Sequence, residues 1–418
     1  MESVFFNLPP ELQQLTLQFL PLWDLDRLFD LQALSQPNVP DPYLIVRHQA
    51  LAAKYMWKSI VVSNDPDLAT ISLAQLDYLM LHRIYISPKD VTLAVFDFTN
   101  YASSVAFMHK LFTTYLPVLQ NYTRNFRIRL ILVENVPLDN SFLRLLFEPL
   151  CSPQLNLSWF TIKYLPGFSK LQRNHDSETS LMNLLTSTNE IAIENLELHL
   201  FDASNLVQHL VDSNGCFHCE NLRTLDLSFN NLTEWNLRNL KFPSTLEHLN
   251  LSNNQLRGLT NSSFHHQSLT NLKTLDLSNN NLMRIELHNY RNGPNGPYVL
   301  ESVNLSGNIL SDYSGMFHSD LFLNLKAIDL SLNLIQKVSK FPSSLVSIDL
   351  SGNYLSLSFD SVNTIFPAGL RKLSLGTNGS LATCGADSAK MMIQAAGLQN
   401  LQELELCGSM YDTRYALY

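Results

Sequence analysis

Apolar residues in the second half of the chain follow one short rhythm. Leucine or a close substitute falls at the first, fourth and sixth places of a nine-residue string that ends on asparagine. The string reads "LRTLDLSFN" to Asn230, "LEHLNLSNN" to Asn254, "LKTLDLSNN" to Asn280 and "LESVNLSGN" to Asn308. It continues as "LKAIDLSLN" to Asn333, "LVSIDLSGN" to Asn353 and "LRKLSLGTN" to Asn378, and a last copy, "LQELELCGS", ends on Ser409. Places four and six lie on one side of an extended chain, because strand side chains alternate with period two. Each string therefore predicts a short strand with one leucine face. Such a strand cannot bury that face alone, so successive copies are expected to stack into a parallel sheet. The asparagine column falls where each strand turns, and its carboxamides are suited to backbone groups that stacking would bury.

The steps between copies are 24, 26, 28, 25, 20, 25 and 31 residues. The shortest leaves no room for a helix. "FPSTL" at Phe242, "FPSSL" at Phe341 and "FPAGL" at Phe366 put proline just before the strand, where its fixed φ suits an extended segment. The back of the C-terminal half is therefore expected to be thin and mostly non-helical. Upstream the pattern loosens. Strands are expected to end near Phe98, Asn135, Leu165 and Phe201, with steps of 29 to 37 residues. Helical spacing appears between them, most clearly over Ser103 to Gln120, with apolar residues at 105, 108, 111, 112, 115, 116 and 119. Ser177 to Leu185 and Asp202 to Asp212 look similar.

The nine-residue template resembles that of the leucine-rich repeat family. The resemblance implies an α/β chain folded as one curved solenoid with a parallel sheet. Long repeats with a helical back are expected over residues 63–220, and short repeats with a non-helical back over 221–418.

The N-terminal stretch "LPPELQQLTLQFLPLWDL" has a different spacing. Leu8, Leu12, Leu15 and Phe19 recur as on a helix, with Pro9, Pro10 and Glu11 suited to its first turn. Leu20-Pro21 ends that helix, and Asp24 is placed to cap a second one carrying Leu25, Leu28 and Phe29. A third is expected from Tyr43 to Trp57. The Leu-Pro-x-Glu-Leu opening, the second Leu-Pro, the Asp-Leu-x-x-Leu and the closing "MWKSIVV" resemble the F-box family. The match departs at "LQALSQPNVPDP" (Leu31 to Pro42), where the family usually has Val-Ser/Cys-x-x-Trp. The resemblance implies that residues 1–62 form a three-helix module docking on the Skp-type adaptor of a cullin-based ubiquitin ligase. Leu8, Pro9, Leu12, Leu15, Leu20, Pro21, Leu25 and Leu28 would make that contact, and the repeats would hold an unidentified target protein. The competing reading makes the segment a cap on the first repeat and the whole chain a non-catalytic scaffold.

Composition narrows the classes further. A formal charge of −9 argues against nucleic acid as the partner. Apolar runs are interrupted well before the ~18–20 residues of a membrane span. The N-terminus carries Glu2, lacks a basic region and is broken by prolines, unlike a secretory leader. The five cysteines are scattered and odd in number, so an intracellular location, cytoplasmic or nuclear, is expected. "CFHC" at Cys216 to Cys219 is half of a zinc spacing without a second half. No phosphate loop, nucleophile elbow or metalloprotease string occurs, so neither catalysis nor a cofactor or metal is expected.

A target-binding surface is expected on the concave face, at template place five. That column reads Asp226, Asn250, Asp276, Asn304, Asp329, Asp349, Ser374 and Glu405. The acidic members Asp226, Asp276, Asp329, Asp349 and Glu405 would attract a basic segment, unless Arg223, Lys273, Lys326 and Arg371 offset them. Failing that, the site is expected within residues 66–220, near Tyr101, Trp159 and Tyr164.

Overall fold

The computed structural model describes residues 59–65, 67–81, 86, 88–95, 106–107, 109–119, 125–132, 156–164, 193–199, 207, 210–238, 240–259, 271–285, 299–313, 322–355, 365–378, 398–406 and 415–416. The eight positions from Leu8 to Leu28 that are expected to dock an adaptor lie outside these residues, as do Tyr101, Ser409 and the helix expected over 177–185. The chain divides into two compact units, residues 1–193 and 194–418.

In the first unit, strands β1 (Ser59–Ser63), β2 (Asp90–Val95), β3 (Asn125–Leu132) and β4 (Asn156–Tyr164) pair in order, all parallel. Strands β3 and β4 run to eight and nine residues, and β3 begins five residues before the expected "LILVEN" segment. Ile60 and Val62 on β1 meet Val91 and Leu93 on β2 by register, and all four are buried. Helix α1 (Leu73–Leu81) was not anticipated from the apolar spacing. Its signal is a capping box: Ser72 Oγ accepts the Gln75 N–H at 3.2 Å, and Gln75 Oε1 accepts the Ser72 N–H at 3.0 Å.

The helix expected over Ser103 to Gln120 is present at its described residues, 106–107 and 109–119, with a wide turn inside it. Leu111–Tyr115 is π-helical, closed by the Leu116 N–H on the Leu111 carbonyl, and α2 (Leu116–Leu119) follows. Pro117 has no N–H to give an α-helical ladder, and the wider turn lies directly before it. The expected stripe is buried at Leu111, Phe112, Tyr115, Leu116 and Leu119. The Tyr115 hydroxyl donates to Asp77 Oδ1 at 2.6 Å, which ties this segment to α1.

In the second unit, β5 (Asn195–His199) pairs with β6 (Thr224–Asp226), and parallel pairing continues repeat by repeat. The next strands are β7 (His248–Asn250), β9 (Thr274–Asp276), β11 (Ser302–Asn304), β12 (Ala327–Asp329), β13 (Ser347–Asp349), β14 (Lys372–Ser374) and β15 (Glu403–Glu405). Register matches the template without a slip: Leu225, Leu249, Leu275, Val303, Ile328, Ile348, Leu373 and Leu404 face one another in turn. All are buried. A short pair, β8 (Gly258–Leu259) with β10 (Arg284–Ile285), lies outside the main sheet. At the far end β16 (Tyr415–Ala416) runs antiparallel to β15 and covers its edge.

The helical content of this unit is small among the described residues. A four-residue helix, α3 (Glu234–Leu237), starts where Asn236 Oδ1 accepts the Thr233 N–H at 2.8 Å. The Phe-Pro lead-ins instead build an aromatic spine. Tyr313, Phe341 and Phe366 stack at 4.9 Å and 5.9 Å, and Phe217 lies on Phe242 at 5.3 Å. All five rings are buried. After each proline the chain turns onto the strand, with Pro243, Pro342 and Pro367 carbonyls accepting the N–H of Leu246, Leu345 and Leu370.

Candidate interaction surface

Three columns of polar side chains run across the second unit, and two of them are structural. The first is the asparagine column. Asn254 Nδ2 donates to the carbonyls of Leu227, Leu251 and Ser252 at 3.0–3.1 Å, and its Oδ1 accepts the Leu232 N–H at 2.8 Å. The same contacts recur at Asn280, Asn308, Asn333 and Asn353, each reaching one carbonyl in the preceding repeat. Asn230 donates to Leu198 in the same way, and Asn378 donates to Leu350. All seven are buried. Their polar groups are committed to the backbone, leaving none for a ligand.

The second column is template place two, near the start of each strand. Arg223, Glu247, Lys273, Glu301 and Lys326 alternate in sign. Arg223 and Lys273 both reach Glu247, Lys326 reaches Glu301 at 2.8 Å, and Arg223 also approaches Glu194 at 3.8 Å. Glu247 is held below the usual carboxylate range by its bonds from Lys273 and Arg223, and Glu301 by the one from Lys326. The expected role for Arg223, Lys273 and Lys326, offsetting the acidic stripe, is therefore corrected. They pair with glutamates about 10 Å away along the strand from place five.

The third column is place five, on the sheet face opposite the leucines. One carboxylate or amide oxygen of each residue accepts the N–H two residues on. Asp226, Asn250, Asp276, Asn304, Asp329 and Asp349 bind the amides of Ser228, Ser252, Ser278, Ser306, Ser331 and Ser351 at 2.9–3.1 Å. This explains why Asp and Asn interchange there: both supply the acceptor that turns the chain at the strand end. In the first four repeats the remaining oxygens are also engaged. Asn250 Nδ2 donates to Asp226 at 3.1 Å, and Asn304 Nδ2 to Asp276 at 3.2 Å. Further along, Asp329 and Asp349 face each other in register with no amide between them. Burial pushes the Asp329 carboxyl up, and the charges of Asp349 and Asp276 add to that. Glu405 is exposed and accepts the Ser374 hydroxyl at 3.0 Å.

Asp226 has a further neighbour that sequence spacing did not reveal. His199 Nε2 lies 3.0 Å from Asp226 Oδ1 and 3.1 Å from Ser228 Oγ. Burial pushes Asp226 up, but the His199 hydrogen bond and charge and the Ser228 bonds outweigh it, and the carboxyl sits below its usual range. Serine, histidine and aspartate together invite a catalytic reading. The geometry opposes it, because both oxygens meet the same ring nitrogen. A triad needs aspartate on one nitrogen and serine on the other, so that the second can take the serine proton.

The alternative site in the first unit is partly engaged as well. Arg127 lies over the Trp159 ring at 5.5 Å and 3.6 Å from Asp90, and the Trp159 indole N–H donates to Thr161 at 2.9 Å. Cys216 is exposed and Cys219 buried, and Asp212 Oδ1 accepts the N–H of Asn214 and Cys216 in the turn before them. Among the described residues no group of His, Cys, Asp and Glu is arranged to hold a metal ion, and no helix is long and apolar enough to cross a membrane.

Backbone geometry shows a regularity that side-chain type conceals. Place eight, directly before the asparagine, has positive φ in all seven copies: Phe229, Asn253, Asn279, Gly307, Leu332, Gly352 and Thr377, from 51° to 66°. Asparagine and glycine suit that conformation. Phe229, Leu332 and the β-branched Thr377 do not. The Phe229 ring lies 6.0 Å from that of His199, whereas Leu332 is 64 % exposed.

Stacked parallel strands, each closed by an asparagine that bonds the repeat before it, define a solenoid of leucine-rich repeats. The family model described as Leucine Rich Repeat matches residues 221–242, 245–267 and 271–292. No curated protein matches the chain. Among solved structures, the TLR13–ssRNA13 complex is similar at 16 % identity and a TM-score of 0.39, over 85 % of this chain and 51 % of that one. The ectodomain of the plant membrane receptor kinase GASSHO1/SCHENGEN3 from Arabidopsis thaliana is similar at 20 % identity and a TM-score of 0.41, over 84 % and 38 %. The leucine-rich repeat domain of APL1B is similar at 15 % identity and a TM-score of 0.34, over 68 % and 74 %. The chain thus spans about half the length of the TLR13 chain it matches.

Proposed function

We propose that the chain is the substrate-recognition subunit of a cullin-based ubiquitin ligase, binding a Skp-type adaptor through residues 1–62 and a target protein through its repeats. The observation that carries this reading is the ordered motif from Leu8 to Leu28 directly ahead of a repeat array. Strand β1 starts at Ser59, two residues after Trp57, as the "MWKSIVV" close of the motif anticipates. Leucine-rich repeats suit protein–protein interaction, because each adds a rigid increment of surface without adding chemistry. The subunit contributes placement: it raises the local concentration of target lysines near the ligase. It is non-catalytic and works inside the cell, in cytoplasm or nucleus.

Co-purification of the full chain with a Skp-type adaptor tests the assignment. Leu20→Asp should abolish the complex by placing a charge in an apolar contact, and Leu8→Ala with Pro9→Ala should weaken it strongly. Unchanged adaptor binding by these variants, with melting like that of the parent, rejects the proposal. A second reading is favoured by the position of β1, which pairs only with β2 among the described strands. In that reading the preceding residues cap the sheet edge and the chain is a scaffold, and the adaptor does not co-purify.

A further inference from the structure

Leu332 is the point of departure. A leucine at φ 54° holds a backbone conformation that its Cβ disfavours, and this one puts its side chain into solvent. Its Cδ2 lies 2.7 Å from where a Cβ on Gly352 would sit, so the next repeat leaves room for it by having none. Two places further along each string, the residue also faces outward. There Leu334 is 42 % and Tyr354 65 % exposed, and Ile309 is half-buried. These three occupy one column. The Leu334 N–H bonds the Leu310 carbonyl and the Tyr354 N–H bonds the Ile335 carbonyl, both at 2.9 Å, so the residues stack at the spacing of neighbouring strands.

The composition of this edge changes along the array. The equivalent column reads Asn231, Gln255 and Asn281 in the first three repeats, then Ile309, Leu334 and Tyr354. Place eight reads Phe229, Asn253 and Asn279 in the first three repeats, and Leu332 stands at the centre of the apolar part. The core is filled from places one, four and six and from the buried residue after this column (Leu310, Ile335 and Leu355), so the exposed parts of Leu332, Leu334 and Tyr354 are not needed to complete it. Beside it, on the strands that lead into these turns, stand Asp329 and Asp349, the pair without an intervening amide. The cation nearest in sequence to Asp329, Lys326, is held by Glu301 at the other end of the strand.

We infer that the edge formed by Ile309, Leu332, Leu334 and Tyr354, flanked by Asp329 and Asp349, docks a segment of another protein in which large apolar side chains adjoin lysine or arginine. Charge complementarity selects this occupant. A second copy of a chain carrying −9 would bring like charge to the same place, and an anionic membrane would be repelled. Apolar anchors supply the binding and the carboxylates set its polarity and salt dependence. The inference rests on the repeats being the target-binding half of the protein. It does not depend on the adaptor contact.

Display of random peptides against the immobilised full chain tests it, with the Leu334→Ser/Tyr354→Ser double variant for counter-selection. Enriched peptides should combine Phe, Trp, Leu or Ile with Lys or Arg. The best of them, fluorescently labelled, should lose about tenfold in affinity on the double variant, as expected for interface anchors. Affinity should also fall with added salt and with Asp329→Asn/Asp349→Asn. Leu332→Asn relieves the backbone, so it should weaken binding while melting no lower than the parent. The Leu20→Asp chain should bind the peptide normally, which separates this site from the adaptor contact. The inference is overturned by acidic or purely polar enriched peptides, by no enrichment, or by affinity unaltered in these variants. Self-association or binding to anionic vesicles that Tyr354→Ser abolishes would assign the edge to a different occupant and overturn it equally.

Discussion

Asn280 holds Leu256 in place from the next repeat: its Oδ1 accepts the Leu256 N–H at 3.1 Å while its Nδ2 donates to the Leu251 carbonyl at 3.0 Å. One carboxamide thus fixes both the end of a strand and the turn after it. Asn280→Ala, or Asn308→Ala one repeat on, strands a buried N–H and weakens the bonding of several carbonyls. Each should cost about 1–3 kcal/mol in urea unfolding, with no change of fold. A loss well below this would mean that water replaces the amide and that the column is not a structural tie.

Place eight makes opposite predictions for different residues. Leu332→Gly should stabilise the chain by about 1 kcal/mol, because glycine adopts positive φ without steric cost. Gly307→Ala and Gly352→Ala should destabilise, the first through the Asn279 side chain and backbone and the second through Leu332. Thermal melting of the three variants checks the set, and a Leu332→Gly chain that melts lower would contradict it.

Acid should act through Asp226. Its carboxyl sits below the ordinary 3.8 in the folded chain, so the folded state binds its proton less readily than the unfolded state does. The stabilisation is therefore complete above about that value and is lost as pH falls below it. Urea unfolding followed from neutral pH downward should show a shallower acid limb for Asp226→Asn than for the parent. Equal slopes would remove the His199–Asp226 contact from the account.

Ser228 should be inert. It is buried, and it shares Nε2 of His199 with Asp226, so no base is free to take its proton. A fluorophosphonate probe should leave Ser228 unlabelled. Labelling that His199→Ala abolishes would contradict this reading of the Ser228–His199–Asp226 geometry.

The aromatic spine should be the costliest place to cut. Phe341 stacks between Tyr313 and Phe366, and Phe341→Ala should cost about 3–5 kcal/mol. The Tyr313 hydroxyl donates to the Ser339 carbonyl at 2.8 Å and accepts the Ser339 N–H at 2.9 Å. Tyr313→Phe should cost about 1–3 kcal/mol by leaving that N–H unpaired. Chemical denaturation of both variants measures the difference.

Sequence by itself determined the repeat, its register and the asparagine column, because these follow from period-two alternation inside a nine-residue string. It also placed the apolar stripe from Leu111 to Leu119, since helical spacing is equally local. It missed α1, whose apolar residues carry little periodic signal and whose clearest mark is the Ser72–Gln75 capping box. Tertiary structure alone decided where the charges go. Arg223, Lys273 and Lys326 were within reach of the acidic stripe by residue number, yet the parallel register set glutamates beside them. It alone brought His199 to Asp226, 27 residues on, because a contact between stacked repeats depends on what the neighbouring repeat carries in the same column. The exposed edge at Leu332, Leu334 and Tyr354 belongs to the same class. Leucine is so frequent in this chain that an outward one looks like any other until the backbone shows which way it turns.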